Sequence, residues 1–219
     1  MSYPTRTLLS MTGKNIRKTY IENTYYHLYN RGVNKEPIFR DDEDYRVLLN
    51  LFKRILTKEP EKDSLGRTHR NLYGSIELNA YCLMPNHFHF LIFQKSANGL
   101  TDLFRSVSTS YAMYFNKKYD RVGHLFQGDL RAVMVDNDEY FRYISCYIHL
   151  NPKNYLDWKY SSLPYFAGTY QADWVCPQYI LDSLGGSESY LSYLKELSSN
   201  RSQLSQLVDH IESYQGGTL

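Results

Sequence analysis

One stretch, residues 81–94, constrains the fold more than any other part of this sequence. It reads YCLMPNHFHFLIFQ, an apolar run that contains His87 and His89 with only Phe88 between them. The aromatic and β-branched residues favour a β-strand, and the Met-Pro-Asn triplet predicts a turn at its start. Side chains two residues apart in a strand point to the same face, so both imidazoles should stand side by side on a buried sheet.

Two imidazoles in an apolar strand are costly to desolvate unless a partner uses their nitrogens. A divalent metal ion is one such partner, because neutral imidazole is the commonest metal ligand in proteins. Hydrogen-bonded core histidines are the alternative, and the His-x-His spacing does not decide between the two. A metal site would need a third ligand from another part of the chain.

Composition limits the class of protein. With 219 residues, 42% of them hydrophobic, the chain can form one domain with additions, or one domain and a small second unit. Its three scattered cysteines form no C-x-x-C pair, which argues against a disulfide framework or a structural zinc site and predicts a cytoplasmic location. No signal-peptide core and no apolar run near ~20 residues is present, so we expect no membrane association.

Aromatic content and charge distribution favour a nucleic-acid partner. The chain has 22 tyrosines, whose faces can stack on bases, although most are expected to fill half-buried sheet positions. Net charge is only +2, yet residues 1–40 hold seven Lys or Arg against two Glu, while residues 173–219 are acidic. The basic N-terminal part of the chain can therefore form a positively charged surface, although the net charge of the whole chain is small.

Hydrophobic periodicity gives the order of the elements. It predicts strands at residues 24–31, 72–83, 87–94 and 130–135, and helices at residues 42–57, 100–119 and 140–151. The order β-α-β-β-α-β-α predicts an α+β, ferredoxin-like sandwich, with one antiparallel sheet and helices on one face. Two short helices are expected within residues 187–214, where Leu204, Leu207, Val208 and Ile211 form a docking stripe.

The helix before Pro152 carries Tyr143, Tyr147 and Asn151 at four-residue intervals, and therefore on one face. A polar row beside an apolar seam is typical of a helix that lines a site. Ordinary amphipathic tyrosines and a helix-end asparagine would give the same pattern.

Taken together, MPNHFHFLIF and YIHLNP resemble the HUH-class single-tyrosine transposases, and most closely their REP-associated tyrosine transposase branch. Further matches follow in the same order: YHLYNRGVNKEPIF (26–39), DDEDY (41–45) and YFNKKYDRVGHLFQGDLRAV (114–133). The resemblance covers residues 24–166 and implies a transposase-like catalytic domain there. The sequence pattern predicts an N-terminal arm (1–23) before it and a C-terminal helical extension (167–219) after it.

The resemblance also implies roles for individual residues. His87 and His89 correspond to the family's metal-binding pair, Asn151 to a third metal ligand, and Tyr147 to the nucleophile. Such a donor set suits Mg²⁺ or Mn²⁺. The implied reaction is the nicking and rejoining of DNA through a covalent 5′-phosphotyrosine. From the residues alone, Tyr143 remains an alternative nucleophile.

The implied substrate is single-stranded DNA, expected to form a hairpin, acted on by a monomer or a homodimer. Candidate phosphate contacts are Arg31, Lys35, Lys117, Lys118 and Arg121. Each could instead be an ordinary solvated side chain. Two other functions stay open: a non-catalytic DNA- or RNA-hairpin-binding protein that keeps the fold, and a metal-dependent hydrolase that forms no tyrosine adduct.

Overall fold

The computed structural model describes residues 20–60, 62, 65–66, 68, 70–204 and 206–208. Within them, the strands are β1 (Thr24–Arg31), β2 (Ile76–Met84), β3 (His87–Gln94) and β4 (Arg131–Val135). The helices are α1 (Asp42–Leu56), α2 (Gly99–Lys118), α3 (Asp138–Leu150), α4 (Leu163–Phe166), α5 (Gln178–Leu184) and α6 (Ser187–Ser198), with further helical residues at 201–204 and 206–208. Residues 1–19 of the predicted arm and Ile211 of the predicted stripe lie outside the described residues.

The four strands form one antiparallel sheet in the order β2-β3-β1-β4. This confirms the predicted α+β, ferredoxin-like fold. The bounds of β1 and β3 are those predicted from sequence. Strand β2 begins later than predicted, because the backbone N–H groups of Ser75 and Ile76 both donate to the carbonyl of Leu72 and close a turn there.

Both faces of the sheet are covered. Leu28, Phe88 and Phe90 pack with α1 and α2 on one face, as the ferredoxin-like plan predicts. The alternate positions, among them Leu91 and Val133, pack with α3, α5 and α6 on the other face. Helix α3 and the C-terminal elements therefore add a layer to the predicted sandwich, and the histidine strand β3 is buried between two layers.

A β-bulge in β2 explains an irregular apolar spacing in the sequence. Leu78 and Tyr81 are three residues apart but belong to the same core, while Ala80 faces the opposite one. The register shifts between Leu78 and Ala80, so Asn79 is the extra residue. Its Nδ2 donates to the Cys176 carbonyl at 3.0 Å, which holds the bulge in place.

The segment after α3 protects the open edge of β2. The Leu83 N–H donates to the Tyr160 carbonyl and the Ser162 N–H to the Tyr81 carbonyl, each at 2.9 Å. Covering an edge in this way prevents strand-to-strand association. All three cysteines are free. In the part of the chain that the structure describes, no helix is long and apolar enough to cross a membrane.

Candidate active site

Strand alternation places His87 and His89 on the face of the sheet that α3 covers, and Phe88 on the opposite face. In the register with β1, His89 lies opposite Tyr29 and His87 opposite Arg31. The two imidazole centroids are 5.2 Å apart, with their planes at 88°. The predicted pairing of the two rings on one face is therefore present.

The turn before β3 orients the first of these rings. Asn86 Nδ2 donates to the Lys35 carbonyl at 3.1 Å, which leaves Asn86 Oδ1 to accept from His87 Nδ1 at 2.7 Å. The Gly32 N–H donates to the Asn86 carbonyl at 2.9 Å. A Cβ at Gly32 would lie 2.1 Å from the Glu36 carbonyl oxygen, so glycine is required for this close approach.

Helix α3 brings the other half of the site. It begins at Asn137, whose side chain accepts from the Tyr140 N–H at 2.7 Å. At its far end Asn151 Oδ1 lies 2.9 Å from His87 Nε2. One turn earlier, the Tyr147 ring meets the His89 ring edge to face, with centroids 5.4 Å apart.

The two tyrosines of the polar row have different neighbours. Tyr147 faces the histidines, whereas the Tyr143 ring lies 6.3 Å from the ring of Tyr193 on α6. Tyr147, on the later turn of α3, therefore lies beside the histidine pair, and Tyr143 lies beside α6.

Burial keeps the two site histidines neutral. It lowers the pKa of His87, an effect that the Asn151 hydrogen bond opposes and the Arg31 charge reinforces. It lowers the pKa of His89 still further, with added repulsion from His27 and His87. Neutral imidazole is the form that binds metals, so both rings are prepared as ligands at neutral pH.

The donor atoms fit a divalent cation. His87 Nδ1 donates to Asn86 Oδ1 and His87 Nε2 lies 2.9 Å from Asn151 Oδ1, so a neutral His87 ring has one proton for two amide oxygens, and a cation could take the place of the second proton. Adjacent ligands of an octahedral ion with bonds of about 2.1 Å lie about 3 Å apart. No group of three or more His, Cys, Asp or Glu is placed to hold a metal within the described residues, so an ion here would depend on the amide oxygen.

A third histidine belongs to the site, and the sequence interpretation missed it. His27 lies fully buried on β1, and its Nε2 is 2.9 Å from His89 Nδ1. Its ring is 6.2 Å from that of Tyr147. The available signal was its place between Tyr25 and Tyr29 in an alternating strand.

The predicted phosphate contacts lie in different surroundings. Arg31 is exposed beside His87, with its Nε donating to Gln127 Oε1 at 2.7 Å, and Lys35 is exposed on the 3-10 turn Val33–Lys35. Lys117 is exposed on the last turn of α2. The remaining two are held by neighbouring side chains: Arg121 donates to Asn116 Oδ1, and Lys118 forms ion pairs with Asp41, Glu43 and Asp44.

Comparisons with known proteins identify a family and proteins of similar fold. The family model described as IS200-like transposase matches residues 20–151. The structure of a REP-associated tyrosine transposase bound to a REP hairpin shares the fold, with a TM-score of 0.51 and 17% identity over 75% of this chain and 92% of that one. A protein from Deinococcus radiodurans R1 described as a transposase aligns with a TM-score of 0.38 and 18% identity, over 62% of this chain and 95% of its own.

A search of curated protein sequences finds no significant match. The family match nevertheless covers more than half of the chain and includes both site histidines, Tyr147 and Asn151. The chain therefore belongs to the IS200-like transposases, a family of DNA-cleaving enzymes.

Proposed function

We propose that this protein is a metal-dependent single-stranded DNA endonuclease and strand transferase that works through a covalent phosphotyrosine. The observation that carries the proposal is the convergence of Tyr147 and Asn151 of α3 on His87 and His89 of β3. A tyrosine hydroxyl, two neutral imidazoles and an amide oxygen in one cluster combine a nucleophile with a cation site.

Each residue has a defined part in the proposed reaction. His87, His89 and Asn151 would hold Mg²⁺ or Mn²⁺, which supplies Lewis-acid stabilisation of the negative charge on the phosphate. The Tyr147 hydroxyl loses its proton to solvent, and its oxygen attacks the phosphorus. The bond from phosphorus to the 3′ oxygen breaks, and that oxygen leaves and takes a proton. The products are a 5′-phosphotyrosine and a free 3′-OH, which can reverse the step and rejoin strands.

We propose hairpin-forming single-stranded DNA as the substrate. A structural neighbour is a REP-associated tyrosine transposase bound to a REP hairpin, and both proteins have the same fold. Arg31 supports a backbone contact because it is exposed directly beside His87. Lys35 and Lys117 are exposed and are further proposed contacts. Lys118 pairs with three carboxylates, and Arg121 is only partly exposed and donates to Asn116 Oδ1, so both are weaker candidates than Arg31.

The test uses labelled hairpin DNAs with Mn²⁺ and scores adducts that survive boiling in detergent. Wild type and Tyr143→Phe should form the adduct, and Tyr147→Phe should not. Tyr143→Phe is a matched control, because it removes the same hydroxyl one turn away on the same helix.

Three outcomes would contradict the proposal. An adduct with Tyr147→Phe would move the nucleophile elsewhere. Cleavage by wild type without an adduct would identify a metal-dependent hydrolase. Tight hairpin binding without cleavage, over a broad set of hairpins and metals, would identify a protein that only binds nucleic acid.

A further inference from the structure

We propose that His27 is a positioning residue that fixes the proton of His89 on Nδ1, so that the Nε2 lone pair of His89 faces the active site. This inference rests on the proposed metal-dependent function, because the lone pair matters only if a cation uses it. It assigns a role to a buried histidine that does not itself reach the proposed ion.

The geometry of the pair is that of a fixed hydrogen bond. His27 has no exposed surface, and its Nε2 lies 2.9 Å from His89 Nδ1. The two rings are nearly parallel, with an angle of 12° between their planes and centroids 5.1 Å apart. Both rings are buried and the Tyr147 ring meets each of them edge to face, which leaves little freedom for either one to rotate.

A neutral imidazole carries one N–H, and the partner of one nitrogen decides which nitrogen is protonated. Burial and the neighbouring rings keep His89 neutral. The 2.9 Å contact accommodates either ring as the donor. In the proposed arrangement His89 Nδ1–H donates to His27 Nε2, the proton of His27 lies on Nδ1, and His89 Nε2 is an acceptor. Loss of the His27 acceptor would let the proton move to Nε2, where it would block a cation.

The neighbouring histidine is held in the same way by a different residue. His87 Nδ1 donates to Asn86 Oδ1 at 2.7 Å, and the second hydrogen bond of Asn86, to the Lys35 carbonyl, fixes the amide orientation. Both candidate ligands thus have Nδ1 occupied by a protein partner, which leaves Nε2 as the nitrogen available to a cation. Partners of this kind commonly set the orientation and basicity of metal-binding histidines.

The experiment compares His27→Phe, which keeps a ring but removes the acceptor, with His27→Gln, which returns an acceptor near the same place. Long-range ¹H–¹⁵N NMR of metal-free protein reports the His89 tautomer, and calorimetry reports Mn²⁺ affinity in the absence of DNA. We expect His27→Phe to shift His89 toward the Nε2–H tautomer and weaken Mn²⁺ binding about 10- to 100-fold. His27→Gln should recover most of the affinity.

Tyr190→Phe is the matched control for general destabilisation. Tyr190 is fully buried and its hydroxyl lies 2.7 Å from Nδ1 of His149, a buried histidine on the far side of α3. This variant should lower stability without changing the His89 tautomer or the Mn²⁺ affinity. An equal loss of affinity in Tyr190→Phe would reduce the role of His27 to ordinary packing and overturn the inference.

The two readouts separate failure of the inference from failure of the proposed function. If wild type and His27→Phe have the same Mn²⁺ affinity and the same His89 tautomer, the role of His27 is overturned. The proposed metal site would be unaffected by that result. Wild type that binds no Mn²⁺ would overturn the metal-dependent function. In that case the NMR comparison alone would still decide whether His27 sets the His89 tautomer.

Discussion

Two polar clusters lie on opposite faces of the sheet, and they differ in how completely their groups are satisfied. In the ionic cluster, made by Asp41, Asp44, Tyr114, Lys118 and Tyr119, the fully buried Asp44 carboxylate accepts hydrogen bonds from the Arg40 N–H and from three side chains, at 2.7–2.9 Å. Burial by itself would raise the pKa of Asp44, but these hydrogen bonds outweigh it and the net pKa is lowered. The Asp44 carboxylate is therefore charged, and both of its oxygens accept hydrogen bonds within the cluster.

The histidine site consists of His27, His87, His89, Tyr147 and Asn151, and it contains no charged side chain. Burial lowers the pKa of both His87 and His89, and the neutral His87 ring has one proton for the amide oxygens of Asn86 and Asn151. A buried charge whose hydrogen bonds are satisfied by neighbouring side chains contributes to the stability of the fold. The imidazole nitrogen and the amide oxygen that lie 2.9 Å apart in the histidine site are suited to a shared cation, and this is the reason that we propose the chemistry for this face.

The largest effect on activity is expected for His87→Ala, which removes a proposed metal ligand. Removal of a direct ligand should slow Mn²⁺-dependent adduct formation by more than about 100-fold, because even partners of a ligand commonly contribute 10- to 100-fold. Single-turnover gel assays with a Mn²⁺ titration measure this, and chelation of the metal should have the same effect on wild type. The exposed His124 provides the control, since His124→Ala should react like wild type. A His87→Ala variant at the wild-type rate would contradict the metal assignment.

The ionic cluster should respond in stability rather than activity. Asp44→Asn keeps the shape but removes the buried charge opposite Lys118, which should cost about 2–3 kcal/mol in the free energy of unfolding. Urea denaturation measures the change. Asp42→Asn changes a neighbouring carboxylate whose side chain is 66% exposed, and should cost about 0.5 kcal/mol or less. Reduced Mn²⁺ affinity in Asp44→Asn would show that the two clusters are not independent.

The same variant predicts a pH dependence. The pKa of Asp44 in the folded protein lies below its unfolded value of about 3.9. The Asp44 carboxylate therefore contributes fully to the free energy of unfolding above the unfolded pKa, and this contribution is lost as pH falls through the folded pKa. The difference in stability between wild type and Asp44→Asn should therefore be constant near neutral pH and shrink below about pH 4. Urea titrations from pH 7 to pH 3 test this; a difference that grows on acidification has the opposite sign and would contradict it.

The smallest expected effect is on the salt dependence of DNA binding, and it should differ between Arg31 beside the histidine site and Lys118 in the ionic cluster. Arg31→Ala should reduce the slope of log affinity for hairpin DNA against log salt by about one, because one phosphate contact is lost. Lys118→Met should leave that slope unchanged, since Lys118 already pairs with three carboxylates of the ionic cluster. Fluorescence anisotropy at several salt concentrations makes the comparison, and an equal slope change in both variants would place Lys118 on the DNA.

The sequence by itself determined the local elements and the paired histidines. The bounds of β1 and β3, the start of α1 at Asp42, and the shared face of His87 and His89 all follow from interactions within a few residues. Alternation and capping act at this short range, so the pattern of residues is sufficient to predict them.

The tertiary structure alone decided which distant groups meet. The pairing of His27 with His89 depends on the register of β1 against β3. The position of Tyr147 beside the histidines and of Tyr143 beside α6 depends on how α3 packs, and the engagement of Lys118 depends on the packing of α2 against α1. These contacts join residues far apart in the chain, where periodicity gives the face of each element but not its partner.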